Sequence, residues 1–322
     1  MAKIVLTYGP PGCGKSTWAV QKLSKMKGKT VIVNLDDLRS TMFGSLDNYK
    51  YNNDNEKYVR TVQCSQVEEL VKKGTNVIIA DTNMNPKVLN YWTGFAKANN
   101  CIIDVHDFFE EYLKEELINE MKKVASGAKP TTSATEHEYF YLKKFRKRCK
   151  EWNLKRRDSV PDEIIDMMVD KYLLPNYMLK QHVYDPALPW CVVSDVDGTL
   201  MHMGDRNPFD ESCVINDTPD YAVCNSVQRD FAEHHGFVFS GRHEGCKADT
   251  LTSLSNAGVI PHEICMRADD DSRSDDIVKY ELYLKHIHGK YNILRWYDDR
   301  DQVVRMLRDV GIKVYQVAPG NF

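Results

Sequence analysis

The chain has 322 residues, 42% hydrophobic and 28% charged, with a formal net charge of −3. That length accommodates two cores of ordinary size, and the composition is that of a globular protein rather than a disordered or fibrous one. No apolar run approaches the roughly 20 residues of a membrane span. Residues 1–7 run straight into a strand pattern rather than a leader, and nine cysteines without a C-x-x-C pair point to reduced thiols in a cytosolic setting.

Residues 3–8 form a short apolar run ending at a glycine turn, as expected of a buried parallel strand. Residues 15–26 have helical spacing, with Trp18, Ala19, Leu23 and Met26 as apolar positions. Further strands are predicted at 30–35, 76–80 and 101–105, separated by helices at 58–73 and 87–98. This alternation argues for a parallel sheet with helices on both faces. Residues 110–155 are strongly charged and mostly helical in pattern, with a loop at 126–133 (Ser-Gly-Ala-Lys-Pro-Thr-Thr-Ser). A helix follows Val160-Pro161, from 162 to about 174. Pro175, Pro186 and Pro189 mark a linker, which divides the chain into domains 1–184 and 185–322. A second series of strands is predicted at 191–194, 237–240, 263–266, 293–297 and 313–317. The stretch from Lys143 to Arg157 has nine basic residues and one acid. It reads as a solvated helix face or, with Phe145 and Trp152 interleaved, as a polyanion contact.

Two stretches carry phosphate chemistry. Residues 9–16 match G-x-x-x-x-G-K-[ST] between a predicted strand and a predicted helix. Glycines let backbone amides close around phosphate oxygens, and the helix N-terminus favours negative charge. Gly9, Gly12, Gly14, Lys15, Ser16 and Thr17 are therefore the candidate ATP-binding residues. Lys15 would neutralise the β and γ phosphates, and Ser16 would hold Mg²⁺. After the second strand, Asp36 is placed to accept a proton from an attacking hydroxyl and Arg39 to clamp an acceptor phosphate. One of Asp36 and Asp37, by position Asp37, is expected to cap the next helix. Asp81-Thr82-Asn83 either orients substrate or caps a helix.

The second stretch is Asp195-Val196-Asp197-Gly198-Thr199, after the apolar run 191–193. A carboxylate at a strand end can attack phosphorus, and one two residues on can protonate the leaving oxygen and later activate water. Asp195 is the expected nucleophile and Asp197 the acid/base. Ser240 would hold a phosphoryl oxygen and Lys279 would neutralise the intermediate. Asp298 and Asp299, with Asp195 and Asp197, would hold Mg²⁺. Most acids between 269 and 276 read as an exposed loop. The interval from Asp197 to Ser240 leaves no room for a large cap, which suits the end of a polymer.

On these motifs the chain resembles the bacteriophage polynucleotide 5′-kinase/3′-phosphatases, which fuse a P-loop kinase to a phosphatase of the haloacid-dehalogenase type. The resemblance rests on Gly9 to Trp18, Asp36 to Arg39, Asp81 to Pro86, Asn153 to Arg156 followed by Val160-Pro161, the D-x-D-G-T motif and the closing segments after Asp298 and Gln316. Leu35 and Trp152 stand where the family pattern has arginine, and the segment 110–146 is longer than the family's.

The resemblance implies an α/β fold. Its N-terminal part would be a P-loop kinase domain with a helical lid, and its C-terminal part a Rossmann-like phosphatase domain with a small cap. It also implies that Asp36 activates a 5′-hydroxyl, that Arg39 meets a 3′-phosphate, and that Arg156 reaches the transferring phosphate from the lid. Arg206, Arg242 and Asp275 would serve 3′-phosphatase action. The implied activity is phosphorylation of 5′-hydroxyl ends of RNA or DNA and removal of 3′-phosphate or 2′,3′-cyclic phosphate, leaving ends for a ligase partner. A homo-oligomer and a cytoplasmic site, in the host if phage-encoded, are also implied. Two other readings compete: a kinase and phosphatase of small nucleotides or sugars, and a nucleic-acid-binding protein with an inactive P-loop. The basic lid and uncapped phosphatase weigh against the first. Intact Lys15, Ser16 and Asp36 weigh against the second.

Overall fold

The computed structural model describes residues 1–126, 137–204, 206–207 and 210–320, without the side chains of Val124 and His137. The predicted loop at 126–133 lies, from residue 127 onward, outside the described residues. Contacts divide the chain into two compact units, Met1–Tyr177 and Met178–Phe322. No helix among the described residues is long and apolar enough to cross a membrane.

The first unit runs β1 (Lys3–Tyr8), α1 (Lys15–Leu23), β2 (Thr30–Val33), α2 (Leu35–Phe43), α3 (Asn53–Lys72), β3 (Asn76–Ile79), α4 (Pro86–Ala98), β4 (Ile102–Asp107), α5 (Phe108–Ala125), α6 (His137–Asn153) and α7 (Asp162–Tyr172). Its strands are all parallel, in the order β2-β3-β1-β4. Successive side chains of a strand point to opposite faces. Ile4 and Leu6 accordingly enter one core with Val33, Val67, Ile79 and Trp92, whereas Val5 meets Ala19 and Ile78 on the other face. The α3 helix begins at Asn53, five residues before the predicted start, because the Asn52 side chain accepts the Asn55 amide at 2.8 Å. The charged helices α5 and α6 form because they bury an apolar stripe. Phe109, Leu142, Phe145, Cys149, Ile165 and Val169 share one core.

The second unit runs β5 (Trp190–Ser194), β6 (Met201–His202), β7 (Thr218–Pro219), α8 (Tyr221–Glu233), β8 (His235–His243), α9 (Lys247–Asn256), β9 (Glu263–Arg267), α10 (Asp275–His286), β10 (Asn292–Arg300), α11 (Asp301–Asp309) and β11 (Val314–Gly320). Its five-stranded parallel sheet has the order β11-β10-β5-β8-β9. The small antiparallel β6–β7 ribbon, one 3₁₀ turn and α8 occupy the interval between Asp197 and β8. Strands β8 and β10 continue beyond their predicted ends because ladder pairing with β9 and β11 carries the backbone through polar residues. Ser240, Arg242, Asp298 and Asp299 are thus held on strands.

Candidate active sites

In the first unit the glycine loop packs directly against α6. A Cβ at Gly12 would lie 2.0 Å from the Cys149 carbonyl oxygen, and its φ is +78°, so only glycine fits. The Lys15 ammonium is buried and donates to the Gly9 and Pro10 carbonyls at 3.1 and 2.6 Å. A cavity of about 550 Å³ is lined by Gly12, Gly14, Lys15, Ser16, Thr17, Trp152, Lys155 and Arg156. A second hollow of about 350 Å³ includes Ser16, Asn34, Asp36, Asp37, Arg156 and Asp158. Ser16 and Arg156 line both. The structure therefore brings together the loop, the strand-end carboxylate and the arginine that follows α6.

Arg156 pairs with Asp158. Its turn is pinned by the fully buried Asn153 side chain, which donates to the Val160 carbonyl at 2.7 Å and accepts the Val160 amide at 3.2 Å. The basic run around it is half structural. Phe145 lies in the core rather than among surface charges, and Arg146 and Lys150 reach Asp166 and Asp170 on α7. Trp152 remains exposed, with the Arg148 guanidinium 4.5 Å from its ring centre.

The helix cap after β2 is neither aspartate. Asn34 has extended backbone, and its side-chain oxygen takes both the Asp36 and Asp37 amides, at 2.7 and 3.3 Å. Both carboxylates are left in the first helical turn, and Asp36 faces the hollow. Asp81 caps as well, but it caps α2 rather than the helix after it. Its carboxylate accepts the Leu35 amide at 2.8 Å and Gln63 at 2.6 Å, and burial raises its pKa. Asn85 caps α4. Arg39 is gripped by a residue with no signal in the sequence: Glu56 accepts from it through two oxygens at 2.8 and 2.9 Å, while Asp36 takes a third bond. Burial works against the Arg39 charge, yet Glu56 and Asp36 raise its pKa. Glu56 itself, despite burial, is lowered by Arg39 and by the Tyr49 hydroxyl.

In the second unit three acids surround one ammonium. Lys279, fully buried, lies 3.0 Å from Asp195, 2.9 Å from Asp298 and 3.2 Å from Asp275. Burial opposes its charge, but the three acids raise its pKa well above the ordinary value. Burial raises Asp195 and Asp298, with Lys279 opposing and the neighbouring acids adding. Burial and then Asp298 push Asp299 up to about 6. Asp275 goes the other way: burial is outweighed by Lys279, Arg300 and Arg267, which lower it. Asp195, Asp298 and Asp299 present oxygens all within 4.8 Å of one another, a hard, all-oxygen donor set. Gly198 has φ +74°, and a Cβ there would lie 2.2 Å from an Asp299 oxygen, so this turn too requires glycine.

The Asp197 carboxylate, expected to share a metal, is turned instead to the arginines. Arg242 donates to it at 2.6 Å and Arg206 stands 3.5 Å away. Arg206, read from sequence as a loop residue, has a largely buried guanidinium. Its anchor is Asp217, which accepts from Arg206 at 3.0 and 2.9 Å and from Arg242 at 2.6 Å. Asp217 lies 11 residues from one arginine and 25 from the other, and no local pattern marks it. Ser240 is buried and its hydroxyl accepts the Arg242 amide at 3.2 Å. Of the acids from 269 to 276, Asp269 and Asp270 are exposed in a loop, as expected, and the others are not. Asp275 and Asp276 are buried in the first turn of α10, and Asp271 is half-buried and bonded by Arg273. Asp205, Pro208 and Phe209 of the predicted arginine loop lie outside the described residues.

A glycine loop of the phosphate-cradling type on one parallel sheet and a carboxylate-lysine cluster at the strand ends of another give the chain two separate candidate sites for phosphate chemistry. Residues 4–175 match the AAA domain family model, and the chain belongs to that family. Residues 189–322 match the model described as the polynucleotide kinase PNKP phosphatase domain. A curated relative, the "Putative bifunctional polynucleotide kinase/RNA ligase" of Autographa californica nuclear polyhedrosis virus, is 26% identical over 329 residues, covering 96% of this chain and 41% of the relative. The chain thus spans about two fifths of that relative. Solved chains of the Pnkp1/Rnl/Hen1 RNA repair complex align over the whole chain and 97–98% of their own length, at 25–26% identity and TM-scores of 0.43 and 0.44.

Proposed function

We propose that the chain is a bifunctional enzyme that heals nucleic-acid ends. The first unit transfers the γ-phosphate of ATP to a 5′-hydroxyl of RNA or DNA, and the second removes a 3′-phosphate or opens a 2′,3′-cyclic phosphate. The observation that carries this reading is the pairing of an intact glycine loop, with Asp36 at the adjoining strand end, and a complete Asp195-Asp197-Lys279 constellation. The match of residues 189–322 to a polynucleotide kinase phosphatase domain supports it.

In the first unit the loop amides and Lys15 bind the donor phosphates, Asp36 takes the proton of the attacking hydroxyl, and Arg156 stabilises charge on the transferring group. Arg39, oriented by Glu56, faces the acceptor. In the second unit Asp195 attacks phosphorus and the 3′-oxygen leaves with a proton from Asp197. Asp197 then deprotonates the water that hydrolyses the aspartyl-phosphate. Arg206, Arg242, Ser240 and Lys279 hold the phosphoryl oxygens, and Asp275 keeps Lys279 in place. The mutually repelling carboxylates of Asp195, Asp298 and Asp299 fit Mg²⁺, which would screen the anionic nucleophile from the anionic substrate. Ser16 is the corresponding residue in the first unit. The products, a 5′-phosphate and a 3′-hydroxyl, are the ends a ligase joins.

Incubation with γ-labelled ATP, Mg²⁺ and a 5′-hydroxyl oligonucleotide should label the oligonucleotide. A 3′-phosphorylated oligonucleotide should release phosphate. Asp36→Asn should abolish only the first activity and Asp195→Asn only the second. Label confined to nucleoside 3′-monophosphates would favour a small-nucleotide enzyme, and loss of both activities in either variant would refute the two-site reading.

A further inference from the structure

Strand β9 forms one edge of the second sheet, and two of its residues share a face with the last residue of α10. Glu263 and Cys265 are two positions apart, so both side chains point the same way. His286 ends α10 and stands 3.6 Å from one oxygen of Glu263. A carboxylate oxygen, the thiol sulfur and an imidazole nitrogen lie within 4.8 Å of one another. The other oxygen of Glu263 is 3.2 Å from His235 on β8, whose ring stacks on His262 and Tyr291. That arrangement fixes the carboxylate's orientation.

We propose that Glu263, Cys265 and His286 form a binding site for a thiophilic divalent cation of the Zn²⁺ class, with His235 as the residue that positions Glu263. The donor set decides the class. Thiolate and imidazole select borderline and soft cations, whereas the oxygens of Asp195, Asp298 and Asp299 suit Mg²⁺. The two sets are also separate in space. Lys279 at the aspartate centre and His286 are on one helix, seven residues apart, or about 10 Å along its axis.

Charge balances as well. A glutamate and a thiolate neutralise a dication, His286 joins as a neutral ligand, and the thiol proton leaves to solvent. The bound cation is what creates the thiolate. Cys265 is buried and Glu263 exposed, so the site opens to solvent on the carboxylate side and closes toward the sheet. Bound there, the cation would tie the edge strand to the end of α10.

The test is a titration of the metal-free full-length chain with Co²⁺ as a spectroscopic stand-in for Zn²⁺, in excess Mg²⁺. A thiolate-to-cobalt charge-transfer band should grow to one equivalent and be displaced by Zn²⁺. Cys265→Ser should lose the band, His286→Gln should weaken binding by at least about tenfold, and His235→Phe by about 10- to 100-fold. Circular dichroism checks that each variant is folded. Absence of the band in the unaltered chain, its persistence in Cys265→Ser, or unchanged affinity in His286→Gln would overturn the proposal. Should Cys265→Ser fail to fold, the His286→Gln titration decides.

Discussion

Asp217 is the most informative residue to change, because it touches the two arginines of the phosphatase site while standing in none of its sequence motifs. Its side chain is 2% exposed, as is that of Arg242. Replacing it with asparagine keeps the shape but turns a charged acceptor into an amide. Two guanidinium groups then lose a shared counter-charge; each keeps its contact with Asp197, Arg242 also its bond to the Thr250 hydroxyl and Arg206 its backbone carbonyls. Hydrogen bonds between charged groups contribute about 1.5–3 kcal/mol. If that energy is what holds the arginines on the phosphate, kcat/KM for 3′-phosphate release should fall roughly 10- to 150-fold at about 1.36 kcal/mol per factor of ten. Removing one partner from a buried ion cluster also destabilises the fold, by up to about 3–5 kcal/mol, so the melting temperature of the second unit should drop. The assay measures 3′-phosphate release and 5′-phosphorylation on one preparation, with thermal unfolding alongside. Kinase activity should be unchanged. Unaltered phosphatase kcat/KM in folded Asp217→Asn protein would refute the idea that this carboxylate positions the arginines.

Asn153→Ala leaves the half-buried Val160 amide and carbonyl without their partner. It should cost about 1–3 kcal/mol and lower the rate of 5′-phosphorylation, read as kcat against KM, by loosening the turn that carries Arg156. Gly198→Ala places a methyl 2.2 Å from Asp299 and should remove phosphatase activity while sparing the kinase, measured with the same two substrates. Glu56→Gln frees Arg39 from its paired carboxylate, and should raise KM for the 5′-hydroxyl acceptor more than it lowers kcat. Mg²⁺ should raise the melting temperature of the second unit by relieving repulsion among Asp195, Asp298 and Asp299. A thermal shift in Asp299→Asn should show the rise reduced.

The alternation of apolar runs and helical spacing marked every strand of both main sheets, most clearly the inner strands β1, β3 and β5, because parallel strands buried on both faces are continuously hydrophobic. Where the prediction stopped short, at the ends of β8 and β10, the residues are polar and hydrogen-bonding to neighbouring strands keeps them extended. The two-residue strands β6 and β7 left no periodic trace at all. Cap assignment failed at Asp37 for a related reason: Asn34, Asp36 and Asp37 all carry acceptor side chains suited to a helix start, and only the backbone turn at Asn34 chooses among them. The basic stretch misled in part because charge in a sequence does not reveal that an acid on another helix, such as Asp166 or Asp170, stands opposite.

What the sequence by itself determined is the chemistry carried by contiguous residues. A glycine loop between strand and helix, or two aspartates flanking a turn at a strand end, is specified by short-range sterics and spacing, so the motif and its geometry arrive together. The tertiary structure alone decided the partners. Glu56 reaches Arg39 across 17 residues, Asp217 reaches Arg242 across 25, and Asp195, just after β5, meets Lys279 on α10. His286 likewise comes beside Glu263 and Cys265 only when α10 packs on the sheet edge. Such pairings depend on which faces are buried together, and a buried charge finds its counter-charge through packing rather than through any local pattern.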